Sequence, residues 1–460
     1  MSTNTTQVIL HLGVGSFHRA HQAHYLQRLR ERGDDSWALV GGNIRDDMPE
    51  TIAALRAQGG AYTLETVTPR GDRSYALIRS IRRVLPFEGD HASIVAIASD
   101  PSTRIISFTV TEAGYFLDAR DRLVLDAPDV DHDLRAVRRG GTARTLYGFL
   151  TLALRARKAL GDDRVTLLCC DNLRHNGTRS RSGLMQFLAA TQQTELAAWV
   201  RDHVTSPNSM VDRITPRPPS DLRARVLDAT GREDAAPVMA ESFAQWVIED
   251  TFAGGRPAWE RVGVEMVTSV EPYEEAKIRL LNATHSAIAW AGSLLGHRYI
   301  HEGASDERVI RIAHGYSADA IQCLLPSPMD LVRYRDEVLD RFRNVALADT
   351  NRRVTADSYA KLQGFVAPTI RERLARNRTI DGVANLPALY LAFLKRWSSG
   401  RLGWEYEDAA FPHEAARALC HSRDPAATLC GHAALWGEDA GDPRLIYAVQ
   451  AAGARLEPLL

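Results

Sequence analysis

VILHLGVGSFHRAHQAHYLQRLRER, residues 8–32, decides how the first half of the chain folds. Residues 8–14 are apolar apart from His11, with Val and Ile prominent, and predict a buried strand. The run turns through Gly13-Val14-Gly15 and continues from Ser16, Phe17, His18 and Arg19 into a helix-like segment. Two glycines there permit a tight turn and let backbone approach a pyrophosphate that faces a helix start. The third glycine of the usual dinucleotide fingerprint is missing, since His18 stands in its place. A ligand-free βα turn is the plain alternative. A second apolar run, WALVGGNI at 37–44, ends at Asn43-Ile44-Arg45-Asp46-Asp47. An acid such as Asp46 at that strand end can accept from an adenosine ribose and repel a 2′-phosphate, which favours NAD. Arg45 could instead meet a 2′-phosphate, which would favour NADP.

Outward from this unit, residues 104–110 and 165–170 predict further buried strands. Residues 49–58 and 142–160 predict helices. Such alternation implies an α/β fold, a Rossmann-type mostly parallel sheet covered on both faces. Residues 62–68 and 75–84 suggest an antiparallel insertion, and 262–270 a possible last strand. Beyond that, helical periodicity dominates. One long helix is expected over 272–295, with others near 306–324, 329–342, 368–376, 386–396 and 414–419. The expected division is a dinucleotide-binding domain over 1–270 and a mainly α-helical substrate domain over 271–460.

The 460 residues are 45% apolar and 25% charged, ordinary for a globular protein of two or three domains. Net charge is −1, so no global field draws nucleic acid or an anionic membrane, and a small-molecule partner fits better. Five irregularly spaced cysteines give no disulfide framework and suit a reducing cytoplasm. No targeting segment and no apolar stretch long enough to span a membrane is apparent. Only four of the 56 basic residues are Lys, at 158, 277, 361 and 395. Each therefore raises a question, because Arg supplies charge but does not deprotonate at useful pH.

Lys277 lies in EEAKIRLLNATH, residues 274–285. At about 100° per residue, Glu274 lies about 60°, His285 about 80° and Asn282 about 140° from Lys277. One helix arc thus carries a carboxylate, an amine, an imidazole and an amide. The next ten residues, SAIAWAGSLL, are apolar or small, so the helix is expected to be buried. A surface Glu274–Lys277 pair is the competing reading. In CDNLRHNG, at a strand's C-terminal end, Asn172 can aim an amide at substrate or simply shape a turn. Asp212 in SMVDRITP, and Arg353 with Lys361 in NRRVTADSYAKLQGF, read by themselves as charged or solvated positions. His18, His21 and His24 recur every third residue, but nothing completes a zinc pattern, and no metal is expected.

LGVGSFHRAHQ, SMVDRITP and the K-x4-N-x2-H of KIRLLNATH, in this order across the chain, resemble the polyol-specific long-chain dehydrogenases, the mannitol dehydrogenase family. The resemblance implies a Rossmann-type domain followed by a helical one, NAD as cofactor, no metal and usually a monomer. It implies Lys277 as general base, Asn282 and Asn172 as oxyanion donors, His285 as a substrate-orienting group and Glu274 as a gate for proton exchange. Asp212, Arg353 and Lys361 become substrate contacts. Gly13, Gly15, Ser16, Phe17, Arg19, Asn43 and Asp46 become coenzyme contacts. The runs GNIRDD, AQGGAYTLETVTP, FTVTEAGYFL, CDNLRHNG, ITPRP and YIHE look most like the members that oxidise D-arabinitol to D-xylulose. Mannitol oxidation to fructose, hexuronate reduction, a non-catalytic NAD sensor and, more distantly, a zinc hydrolase are the alternatives.

Overall fold

The computed structural model describes residues 6–118, 120–139, 141–161 and 164–459. The chain forms two compact units, Met1–Thr68 with Asp72–Glu271, and Pro69–Gly71 with Pro272–Leu460.

The strands of the first unit are β1 (Gln7–Leu12), β2 (Trp37–Gly42), β3 (Tyr62–Val67), β4 (Arg73–Ile78), β5 (Ile81–Val84), β6 (Thr103–Phe108), β7 (Val165–Cys169), β8 (Val204–Thr205), β9 (Ser209–Asp212), β10 (Val238–Glu241), β11 (Gln245–Glu249) and β12 (Glu265–Val267). Six of them form one sheet in the order β5-β2-β1-β6-β7-β8, with every neighbouring pair parallel. This is the doubly wound dinucleotide-fold order, in which strand order reverses beside β1. Alternate residues feed opposite cores. Leu10, Leu12, Ile106, Phe108, Leu167 and Cys169 pack on one face, whereas Ile9, Ile105, Leu168 and Cys170 pack on the other. Helices Leu146–Leu160 and Asn176–Ala190 cover the first face, and Gln22–Glu31 covers the second. A parallel sheet needs both layers because neither of its faces can be left in water.

Two small sheets complete the unit, β10-β3-β4 and β12-β11-β9. The antiparallel insertion expected from sequence is present as β3 paired with β4. Its second run is not one strand over 75–84, however. The chain turns at Arg79-Ser80, where the Ser80 hydroxyl donates to Ala23 O at 2.6 Å. Ile81 onward then joins the edge of the parallel sheet beside β2. The possible last strand over 262–270 shrinks to β12, which pairs with β11 rather than with the main sheet.

The second unit is helical around one large core that includes Leu280, Trp290, Tyr316, Leu362, Tyr390 and Trp436. The helix expected over 272–295 is continuous but not uniform. Glu271–Ala276 and Ala283–Leu294 are α-helical, while Lys277–Asn282 between them is π-helical. A second π segment, Leu362–Val366, follows Lys361 and packs against the first. Pro368 in the next turn lacks the N–H that a regular α-helix would use. No helix among the described residues is long and apolar enough to cross a membrane.

Candidate active site

The first cluster lies at the C-terminal edge of the parallel sheet, where β1 meets its glycine turn. Gly13 has φ +102°, and a Cβ there would sit 2.3 Å from the carbonyl oxygen of Thr109, just beyond β6. Only glycine fits. Gly15 differs, because a Cβ there would meet nothing within 4 Å, which leaves its backbone open to a ligand. Asn43 fixes the turn by accepting from Val14 N at 3.0 Å and donating to Asp47 at 3.2 Å. Asp46 is exposed on a cleft of about 190 Å³, lined also by Asn43, Met48, Ile52 and Phe87. Arg45 also borders this cleft, but it donates to Arg144 O at 3.1 Å and to Asp129 at 3.2 Å.

Ser16 and Phe17 open the short helix Ser16–Ala20, half-buried, and Phe17 stacks on His21 at 5.0 Å. Arg19 turns inward instead of toward the turn. The residue is 4% exposed, and its guanidinium donates to Ala236 O at 2.5 Å and lies over Tyr62. The side chain thus points away from the turn and leaves the turn's peptide groups to face a pyrophosphate. His18, where a third glycine would stand, is buried and stacks on His11 at 3.5 Å between ring centroids. The three histidines spaced by three diverge, since His21 Nε2 meets Gln245 O at 2.9 Å. Among the described residues, no group of three or more His, Cys, Asp or Glu side chains is placed to hold a metal ion.

Burial holds His11 neutral and pushes its pKa down to about 3, although Gly13 O and Gln22 oppose this. Below pH of about 6.5 the unfolded histidine takes a proton that the folded one refuses, so stability falls as pH falls through that window. The effect reaches a few kcal/mol, because each tenfold loss of proton affinity is worth about 1.4 kcal/mol. Urea unfolding at pH 7 and pH 4.5 is expected to show a lower midpoint in acid. His11→Gln should reduce that dependence, the buried His18 and His24 supplying the remainder, and an unchanged slope would refute the assignment.

Asn172 lies exposed on the loop after β7. Four residues on, the buried Asn176 binds this loop to the start of β9, with its amide donating to Ser209 O at 2.7 Å and Asp171 O at 3.1 Å. Asp171 in turn accepts from the peptide N–H of Val110 at 2.8 Å and Thr111 at 3.1 Å, tying the ends of β6 and β7 together. Asp212 ends β9 and is buried.

In the second unit Glu274 and Lys277 are both buried, which removes the surface-pair reading. Lys277 heads the π segment and Asn282 closes it. With i→i+5 bonding the chain turns by roughly 85° per residue instead of about 100°. Asn282 then moves from about 140° to about 65° of Lys277, and His285 from about 80° to about 5°. The π segment thus draws these groups toward one line.

His285 stacks on Phe342 at 4.6 Å, with planes 17° apart. Its Nε2 lies 3.3 Å from Asp349 Oδ2. Asp349 also grips Arg353, with Nε to Oδ1 at 2.6 Å and Nη2 to Oδ2 at 2.5 Å. Burial pushes the His285 pKa down, against the pull of Asp349, and Arg353 and Lys361 lower it further. Lys361 itself is lowered by burial and by Arg353, and its Nζ donates to Val354 O and Ala356 O, both at 2.7 Å. The structure therefore gathers His285, Arg353 and Lys361 into one neighbourhood. Asp349 and Phe342 were not expected from sequence. The i,i+4 spacing of Asp349 and Arg353 was the one signal available.

The mannitol dehydrogenase Rossmann domain model matches residues 7–261, and the mannitol dehydrogenase C-terminal domain model matches 269–456. The chain belongs to the mannitol dehydrogenase family. It is an oxidoreductase acting on CH–OH groups. A D-arabinitol 4-dehydrogenase of Ralstonia nicotianae is 53% identical over 98% of this chain and 96% of its own length. A D-arabinitol 4-dehydrogenase of Klebsiella pneumoniae is 46% identical over 93% of each. Among solved structures, the Pseudomonas fluorescens mannitol 2-dehydrogenase in ternary complex with NAD and D-mannitol is 35% identical. It superposes with a TM-score of 0.81 over 98% of this chain and 92% of that one. The expected family and fold class are both met.

Proposed function

We propose that this member of the mannitol dehydrogenase family oxidises a secondary alcohol of a polyol to a ketose with NAD, and that its substrate is D-arabinitol, giving D-xylulose. The observation that carries the chemistry is the buried Lys277, heading a π segment whose other end is Asn282. Similarity along nearly the whole chain to two D-arabinitol 4-dehydrogenases supports the substrate.

The residues at the glycine turn fit a dinucleotide. Gly13 is sterically obligatory, Gly15 is open, and Asp46 stands on a cleft at the end of β2. Gly13, Gly15, Ser16 and Phe17 would hold the pyrophosphate, with Asn43 bracing the turn and Asp46 taking the ribose. NAD, when bound, supplies the hydride acceptor. Lys277, as a neutral amine, takes the hydroxyl proton. Asn282 and Asn172 donate hydrogen bonds to the developing alkoxide, each such donor typically contributing about 2.7–4 kcal/mol. His285 orients a neighbouring hydroxyl, and Glu274 passes the proton onward. Asp212, Arg353 and Lys361 hold the rest of the polyol.

Initial rates on D-arabinitol, D-mannitol, D-sorbitol and a hexuronate, in the presence of a chelator, test this reading. D-arabinitol should give the highest kcat/KM, and the chelator should change nothing. Preference for another polyol, or loss of activity restored by zinc, would overturn it. Asp46→Ala should raise the NADP to NAD ratio of kcat/KM about tenfold by removing a like charge from the 2′-phosphate position. An unchanged ratio would count against Asp46 as the selector.

A further inference from the structure

The chain segment 345–353 presents one carboxylate to two groups that the proposed function assigns to the substrate. The short helix Val345–Leu347 ends at Ala348 with φ +47°. The next residues are fixed by backbone pairing, because Asp349 O accepts from Ile300 N at 2.9 Å and Asn351 N donates to Arg298 O at 3.0 Å. Thr350 caps the following turn by accepting from Arg353 N at 3.3 Å. The Asp349 side chain is thus placed by a pinned backbone.

From there it reaches both neighbours at once. Oδ2 stands 3.3 Å from His285 Nε2, an ion-pair distance without hydrogen-bond alignment, and both oxygens engage Arg353 as a hydrogen-bonded two-point pair. A carboxylate this close to Nε2 electrostatically favours the tautomer that carries its proton there and leaves Nδ1 as the acceptor. Phe342, stacked on the ring, fixes its plane. Arg353 is gripped along its Nε–Nη2 edge, yet its side chain remains 68% exposed, so the rest of the guanidinium is available to a ligand. The carboxylate itself is 15% exposed and is used by these two partners.

The geometry points to Asp349 as a positioning residue that sets the tautomer of His285 and the direction of Arg353 for polyol binding. This rests on the reading of His285 and Arg353 as substrate contacts. The Asp349 oxygens are taken up by His285 and Arg353, so its effect on the substrate passes through those two side chains.

A mutant cycle in steady-state kinetics with D-arabinitol and NAD tests it. Asp349→Asn should raise the polyol KM about tenfold or more, by analogy with the 10–100-fold cost of losing a partner that orients a ligand group. It should leave kcat within about threefold and NAD affinity within about twofold, since an interaction equal in ground and transition states moves KM alone. In a His285→Ala/Arg353→Ala background the same substitution should add less than a twofold change. A normal KM in Asp349→Asn, or an undiminished penalty in that background, overturns the positioning role. If His285→Ala and Arg353→Ala each leave KM unaltered, the substrate reading of those residues fails and takes this inference with it. Asp349→Ser passes through the same cycle, with circular dichroism on every variant. Loss of fold in both Asp349 variants would make the residue structural and overturn the proposal.

Discussion

Lys277→Met loses about a thousandfold or more in kcat for polyol oxidation, while NAD binding and the melting temperature stay near their original values. The size follows from what a placed base contributes, about 10²–10⁴ in rate. Methionine keeps an unbranched chain of similar length and removes only the amine, so packing in the buried site is little disturbed. An amine in water has a pKa of about 10.4, too high for a base near neutral pH, and withdrawal from water is the physical means of lowering it. Lys277 is 7% exposed, unlike Lys395, which lies on the surface, and Lys158, which pairs with the exposed Glu195. Stopped-flow turnover with coenzyme titration separates chemistry from binding. Turnover within tenfold of the original enzyme would remove Lys277 from the base's role.

Gly13→Val is the second large effect, and it acts on folding and coenzyme binding together. At φ +102° a side chain is strained by about 1–3 kcal/mol. Its Cβ would overlap the Thr109 carbonyl, which stands 2.3 Å away. Relief requires moving the end of β6 or of β1, at a further cost of about 1–3 kcal/mol. Gly13 O also accepts from the Thr109 hydroxyl at 3.0 Å, so a shift breaks that bond as well. Urea unfolding should show a loss of about 2–6 kcal/mol. Any folded fraction should bind NAD at least about tenfold more weakly, an effect of about 1.4 kcal/mol. Stability within about 0.5 kcal/mol of the original would show that the turn tolerates a side chain. Gly15→Ala provides the contrast. With nothing within 4 Å of its Cβ, it should fold normally and weaken only coenzyme binding.

The sheet was readable because its strands carry their own signal. Residues 8–14, 37–44, 104–110 and 165–170 are predominantly apolar runs, and burial on both faces demands such runs wherever the chain folds. Boundaries were less readable. The run 75–84 contains two strands of different sheets, because pairing partners, not local propensity, decide where each piece goes. Ile81 pairs with Leu39 of β2, whereas Tyr75 pairs with Glu65 of β3. The direction of the Arg19 side chain was unreadable for a related reason. Its place in the motif suggested a phosphate, but Tyr62 and Ala236 lie where its guanidinium points.

Hydrophobic period and residue chemistry, which act over a few neighbouring positions, were enough to read the doubly wound first unit and the helical second one. They were also enough for the glycine turn and for the helix that carries Glu274, Lys277, Asn282 and His285. The π winding of Lys277–Asn282, which rotates Asn282 and His285 toward the lysine's line, lay beyond their reach. Helix propensity favours the α-form there, and packing against the second π segment at Leu362–Val366 accompanies the departure from it. Long-range packing likewise made the partnership of Asp349 with His285, which joins a connecting loop to a distant helix. A carboxylate's acceptor strength is local, but which imidazole it meets depends on how distant segments pack.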